Sequence, residues 1–76
     1  GPLGVNQTAK ELSEIDQRYK AKKAEREIFL NKPLEEALLK GEIEEAENIT
    51  KQISNERLRL EDEREEEKNK IRNSEN

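Results

Sequence analysis

The chain contains no histidine and no cysteine. The side chains that most often act as a general base near neutral pH and as the strongest nucleophile are therefore missing. Reactive oxygens remain on Ser13, Tyr19, Thr50 and Ser54. A hydroxyl becomes a nucleophile only when a base is held against it, and the bases near these four are surface charges of the kind spread along the whole chain. No enzyme activity is expected, and no residue is assigned a catalytic role. The carboxylate-rich run Glu61-Asp62-Glu63-Arg64-Glu65-Glu66-Glu67-Lys68 is the obvious place to look for a cation site. A calcium loop needs oxygen ligands at alternating positions, a glycine at the turn and a closing glutamate, and this run has no such pattern. It reads as a solvated helix face or a fraying tail, and neither a metal nor a cofactor is expected. Asn48-Ile49-Thr50 has the form of a glycosylation acceptor but falls in the middle of a helical stretch.

One further cluster carries charge of the opposite sign. Arg18, Lys20, Lys22, Lys23 and Arg26 form a basic patch interrupted by one acid, Glu25. Such a patch suits phosphate or an acidic protein surface. Tyr19 is its only aromatic residue, which leaves no stacking platform for bases. The plainer use is internal: in a folded hairpin, acids of the C-terminal helix would face this cluster.

The elements that must position these groups are helical. Of the 76 residues, 29% are hydrophobic and 45% charged. Globular domains average roughly 45–50% apolar and about 25% charged, so the core must be small. Residues 1–32 carry seven Lys/Arg and five Asp/Glu, and residues 33–76 carry eight and fourteen. A chain with a net charge of −4 is a poor general nucleic-acid binder, because phosphate neutralisation supplies most non-specific affinity. No apolar run approaches the roughly 18 residues of a membrane span. These features suggest a cytoplasmic or nuclear setting with no membrane partner. Gly1-Pro2-Leu3-Gly4 resembles the remnant of a cleaved purification tag. Residues 1–5 and 73–76 are expected to be irregular, leaving 6–72 as one module.

The spacing predicts an all-α antiparallel hairpin of three helices, about 8–30, 33–40 and 42–70. Thr8 and Glu11 have the spacing of a capping box. Leu12, Ile15 and Tyr19 share one helix face, and Ala21, Ala24 and Ile28 lie on the opposite one. Asn31-Lys32-Pro33 is read as a first break, since proline lacks the amide hydrogen and suits the first turn of a new helix. Gly41 is read as a second break, at a C-terminal cap, with an uninterrupted helix from Pro33 as the alternative, since glycine inside a helix costs only about 1 kcal/mol against alanine. Ile43, Ala46, Ile49, Ile53 and Leu60 make a stripe that ends where Arg64 and Glu67 replace apolar residues. A fold-back across 31–41 would bring Phe29 to Ile43, Tyr19 to Ile53 and Leu12 to Leu60. The expected core is then Ile28, Phe29, Leu30, Leu34, Leu38, Ile43, Ala46 and Ile49.

Two resemblances fall on residues 34–46. Ala37-Leu38, Gly41-Glu42 and Ala46 are similar to the turn of tetratricopeptide-type helical repeats, which implies a helix–turn–helix. Leu34, Ala37 and Glu44 resemble positions of a ubiquitin-interacting motif, which implies a single ubiquitin-binding helix at 34–44. Gly41 stands where that motif has serine, and Asn31-Lys32-Pro33 where it has an acidic lead-in.

A narrow apolar stripe on a charged helix is half of a packing surface. The expected function is therefore a non-catalytic protein–protein interaction module, an adaptor-like segment that docks amphipathic helices on a partner protein. Leu12, Ile15, Tyr19, Ile53, Leu58 and Leu60 are the expected partner-binding residues. The alternative is a structural segment that self-associates as a coiled coil or serves as a spacer. Nucleic-acid contact through 18–26 and ubiquitin binding at 34–44 are lesser alternatives.

Overall fold

The computed structural model describes residues 2–74, with side chains from residue 6 onward. Two long helices form an antiparallel hairpin: α1, Pro2–Leu39, and α2, Ile43–Ser74. The rod measures 59 × 16 × 9 Å, close to the length of α1 alone at about 1.5 Å per residue. The expected irregular ends include Gly1, Glu75 and Asn76, which lie outside the described residues. The expected helix start at Thr8 is superseded, because α1 already runs through that position.

The hairpin turns once, at Gly41. Its φ of 71° lies in the left-handed region that an L side chain enters only at a cost. The amide of Gly41 donates to the Leu38 carbonyl at 3.1 Å, and that of Glu42 donates to the Ala37 carbonyl at 2.8 Å. These two bonds are the Schellman arrangement, which satisfies carbonyls left over at a helix end. The amide of Ala46 then donates to the Glu42 carbonyl, making Glu42 the N-cap that precedes α2. Glu44 and Glu45 in the first turn of α2 oppose the positive end of its dipole.

The expected short middle helix is absent, and α1 passes through Pro33 without ending. Proline in a helix interior costs about 3 kcal/mol, so something must offset it. Leu30, Leu34 and Ala37 recur at intervals of four and three on α1. They pack as one row with Ala46, Ile49 and Ile53 of α2. A break at 31–33 would rotate Leu34 and Ala37 away from Leu30 and split that row. The carbonyl that Pro33 leaves without an amide belongs to Phe29, whose side chain is exposed, where water can bond it.

The single turn also resets the register. The cross-helix pairs centre on residues 41–42, several positions later than a fold-back across 31–41 requires. Tyr19 therefore meets Leu60, not Ile53. Of the expected core, Leu30, Ala46 and Ile49 are buried and Leu34 is half-buried. Ile28, Phe29, Leu38 and Ile43 are exposed. Ile28 and Phe29 belong to other faces of a continuous α1, while Leu38 and Ile43 flank the turn at the end of the seam.

A second apolar cluster holds Ile15, Tyr19 and Leu60, with Ile71 packed against it. Between the clusters the seam continues in charged residues at the same spacing. On α1, Lys23 and Arg26 bridge Tyr19 to Leu30; on α2, Glu56 separates Ile53 from Leu60. All three are half-buried.

Candidate functional site

The basic patch can be placed first. Arg26 donates to Glu56 at 2.9 and 3.3 Å, Lys23 donates to Glu61, and Arg18 lies 3.2 Å from Glu67. Lys22 sits 4.7 Å above the Tyr19 ring. Lys20 alone of the five has no such contact. The acidic run and the residues just before it are partly occupied in the same way. Lys68 donates to Asp16 at 2.9 and 3.1 Å, Arg64 is 3.7 Å from the same carboxylate, and Arg57 pairs with Glu27 at 2.9 Å through Nε. The expected solvated face at 61–68 is thus partly a ladder of ion pairs to α1, with Glu61, Arg64, Glu67 and Lys68 half-buried. Among the described residues, no three acidic side chains converge as a cation site.

These pairs shift the groups they involve. The hydrogen bond from Lys68, aided by Arg64 and Arg72, holds Asp16 below its ordinary pKa against its own desolvation. Lys23 and Arg64 do the same for Glu61. Burial, then the carboxylates of Glu67 and Glu63, pushes the Tyr19 hydroxyl above its ordinary value. Each shift has a structural cause in the seam, and none leaves a group poised for proton transfer near neutral pH.

The six expected partner-binding residues divide. Ile15, Tyr19 and Leu60 are buried between the helices, Leu12 and Ile53 are half-buried, and Leu58 is exposed. The first three are therefore committed to the hairpin itself. Ile53 also packs against the closed-end cluster.

Of the large apolar side chains left exposed, Ile28, Phe29 and Leu58 lie along the rod, and the other three lie at the closed end. Leu38 is 56% exposed, Leu39 88% and Ile43 60%. Leu34, Leu38, Ile43 and Ala46 line an open cleft of about 420 Å³, with Glu47, Thr50 and Lys51 at its edge. On the other side of Ile43 lies a second cleft of about 420 Å³, bounded by Glu42, Glu44, Glu45 and Asn48. Ile43 is thus a ridge between an apolar hollow and an acidic one. Ala37 and Ala46 are both buried at this end; their small side chains let the helices approach, and so they expose Leu38 and Ile43 at the rim.

Charge is handled differently here than along the rod. Six glutamates and one lysine lie between Leu34 and Asn48. Among the described residues none of those glutamates takes part in an ion pair, all of which lie in the rod. Sequence reasoning missed this surface by assigning Leu38 and Ile43 to the core. The usable signal was Gly41 itself, since apolar residues that flank a tight turn have no facing helix.

Residues 34–44 are divided by the turn, so they do not form the single helix that the ubiquitin-motif resemblance implies. The tetratricopeptide-type resemblance implies only a helix–turn–helix, which is present. No helix among the described residues is long and apolar enough to cross a membrane. The chain matches no protein-family model, no curated protein and no solved structure.

Proposed function

We propose that the chain is a non-catalytic docking module that presents the closed end of a helical hairpin to a partner protein. The observation that carries this reading is the exposure of Leu38 and Ile43 on an apolar cleft, with Leu39 exposed next to Leu38 in the chain. A chain with so few apolar residues leaves three large ones in water at one place. Exposed apolar patches rimmed by polar residues are characteristic of interaction sites. Topology supports the same reading. Both ends of the described chain lie at the open end of the rod, so the turn is the part that projects. An in-line spacer would have its ends at opposite tips, which makes that alternative a poorer match.

Photo-crosslinking tests this directly. A photoreactive amino acid at position 39 or 43 should yield a crosslinked protein in the native setting, while one at position 62 should not. The crosslinked protein, purified and titrated against the chain, should lose at least about tenfold in affinity on Leu38→Ser with Ile43→Ser, as expected for central apolar anchors, with helicity unchanged. Crosslinks confined to position 62, or full affinity of the double variant, would refute it.

A second reading rests on the outer face of α1. Ala21, Ala24 and Ile28 are exposed there, and Ile28 is 73% exposed. Two copies packed on this face would self-associate. Sedimentation of the chain against Ile28→Ser decides it: a dimer that the substitution dissolves supports self-association, and a monomer at all concentrations removes it. Nucleic-acid contact has less support, because three of the five basic residues already face acids.

A further inference from the structure

The glutamates around the turn are the counterpart of a missing charge. Along the rod, acids and bases of the two helices meet one another, as in Arg26–Glu56 and Lys68–Asp16. At the closed end the apolar cleft has Glu47 and Lys51 at its edge, and Glu42, Glu44 and Glu45 line the hollow that shares Ile43 with it; with Glu35 and Glu36, six glutamates and one lysine lie between Leu34 and Asn48. A second copy of this chain would bring the same acids to the same place, and like charges across an interface are costly. An acidic segment and an anionic lipid surface are disfavoured for the same reason. We propose that the occupant of the closed end is a cationic amphipathic helix. It seats an apolar side chain in the cleft formed by Leu34, Leu38 and Ala46. Its Lys or Arg residues cross the Ile43 ridge to Glu42, Glu44 and Glu45. The arrangement matches helix-in-groove recognition, in which apolar anchors at i, i+3 or i+4, and i+7 give affinity. Flanking charges select the partner and speed its approach. This inference rests on the docking reading above and adds the chemistry of the partner.

Two helical peptides of about fourteen residues, the length at which isolated helices become viable, test it. Both carry leucines at helical spacing; one fills the remaining positions with lysine, the other with glutamate. Each is titrated into the isotope-labelled full chain and followed by amide and methyl NMR. The lysine peptide should perturb signals within residues 34–51 and leave 56–67 unmoved. Its affinity should fall about tenfold on Ile43→Ser and by a similar factor on Glu44→Lys with Glu45→Lys. Ile43→Ser keeps its helicity because that side chain is exposed. Glu44→Lys with Glu45→Lys gives up the dipole stabilisation of the first turn of α2, so its affinity is compared with that of Glu44→Gln with Glu45→Gln, which should lose less while sharing the loss of negative charge at that turn. The glutamate peptide should not bind. Equal binding of both peptides at residues 34–51 would overturn the cationic partner and leave the docking surface standing. Failure of both to perturb the closed end, or perturbation by the lysine peptide of residues 56–67 alone, would overturn the surface and the inference together. Closed-end signals that shift on dilution without peptide would identify a second copy as the occupant and overturn the proposal.

Discussion

The closed and open halves of the hairpin bury comparable apolar clusters but treat their charges oppositely. At the open half, Ile15, Tyr19 and Leu60 are flanked by cross-helix pairs such as Asp16–Lys68 and Arg18–Glu67. At the closed half, Leu30, Ala37, Ala46 and Ile49 pack, and past the Arg26–Glu56 and Glu27–Arg57 pairs the six glutamates around the turn are, among the described residues, in no ion pair. Exposed pairs contribute only about 0–1 kcal/mol each, so the ladder adds little raw stability. Its use is to fix alignment: sliding α2 along α1 would bring Glu56 away from Arg26 and Lys68 away from Asp16. A rod short of apolar residues sets its register with charge. The closed half is held by apolar packing and by the turn, so its charges remain available to something else.

The largest effect that could break this division is core truncation. Ile49→Ala at the closed half and Leu60→Ala at the open half should each cost about 2–4 kcal/mol, read as lost helicity in urea or heat. Leu39→Ala should stay within about 0.5 kcal/mol, as exposed substitutions usually do. Were Leu39→Ala to cost as much as Ile49→Ala, the apolar residues at the turn would be structural, and the distinction between a packed seam and a presented tip would fail.

Next in size is Pro33→Ala. The proline sits inside a continuous helix and is tolerated because the row Leu30, Leu34 and Ala37 needs that helix. Alanine restores an amide donor and removes a ring clash worth about 3 kcal/mol. Part of that gain is returned because the unfolded chain becomes freer. Stability should rise by about 2 kcal/mol. A fall would mean that the seam depends on a distortion proline introduces.

Gly41→Ala should cost less, about 1–2 kcal/mol, as the penalty for a side chain in the left-handed region. Nothing lies within 4 Å of an added Cβ, so the whole cost is backbone conformation. Gly41→Asn should recover part of it, since asparagine tolerates that region. Equal losses for both would point to a contact at the turn in place of backbone strain. Either substitution acts on the closed half alone and leaves the ion-pair ladder in place.

The hairpin was legible in the sequence and its turn only in part: glycine after a leucine-rich helix marks a C-terminal cap, but glycine is also tolerated within helices, and Pro33 offers a competing break. The local preference of Pro33 is strong, but six apolar residues on both sides of the seam outweigh it, and only the paired structure shows that row. The register error followed, since an extra break moves the fold-back point. The charged stretch of the seam carries no apolar stripe to mark it. Lys23, Arg26 and Glu56 occupy the same spacing of threes and fours as Tyr19, Leu30, Ile53 and Leu60, and only opposite charge on the facing helix makes them interior. Leu38 and Ile43 were legible as apolar, but their exposure depends on where the helices end.

The smallest expected effect is titration, and it should separate the halves most cleanly. Asp16 and Glu61 are held below their ordinary pKa values chiefly by hydrogen bonds from Lys68 and Lys23. A depressed carboxylate stabilises the fold above the unfolded-state value, and that contribution disappears as pH falls through the folded value. Acidification from about pH 5 to about pH 2 should therefore loosen the open half first. Tyr19 has the opposite sign. Burial and the nearby Glu67 and Glu63 raise its pKa, so the fold favours the neutral phenol. That contribution is complete below the unfolded value and is lost as pH rises through the folded one. The open half should thus weaken at both extremes, seen as sharper loss of amide dispersion around Asp16, Tyr19 and Glu61 than around Leu30, Ala37 and Ile49. Asp16→Asn should flatten the acid limb, and Tyr19→Phe the alkaline limb. Simultaneous loosening of both halves with acid would show that the ladder and the closed-end core are one cooperative unit, because an ion pair can report on its own half only where the two open separately.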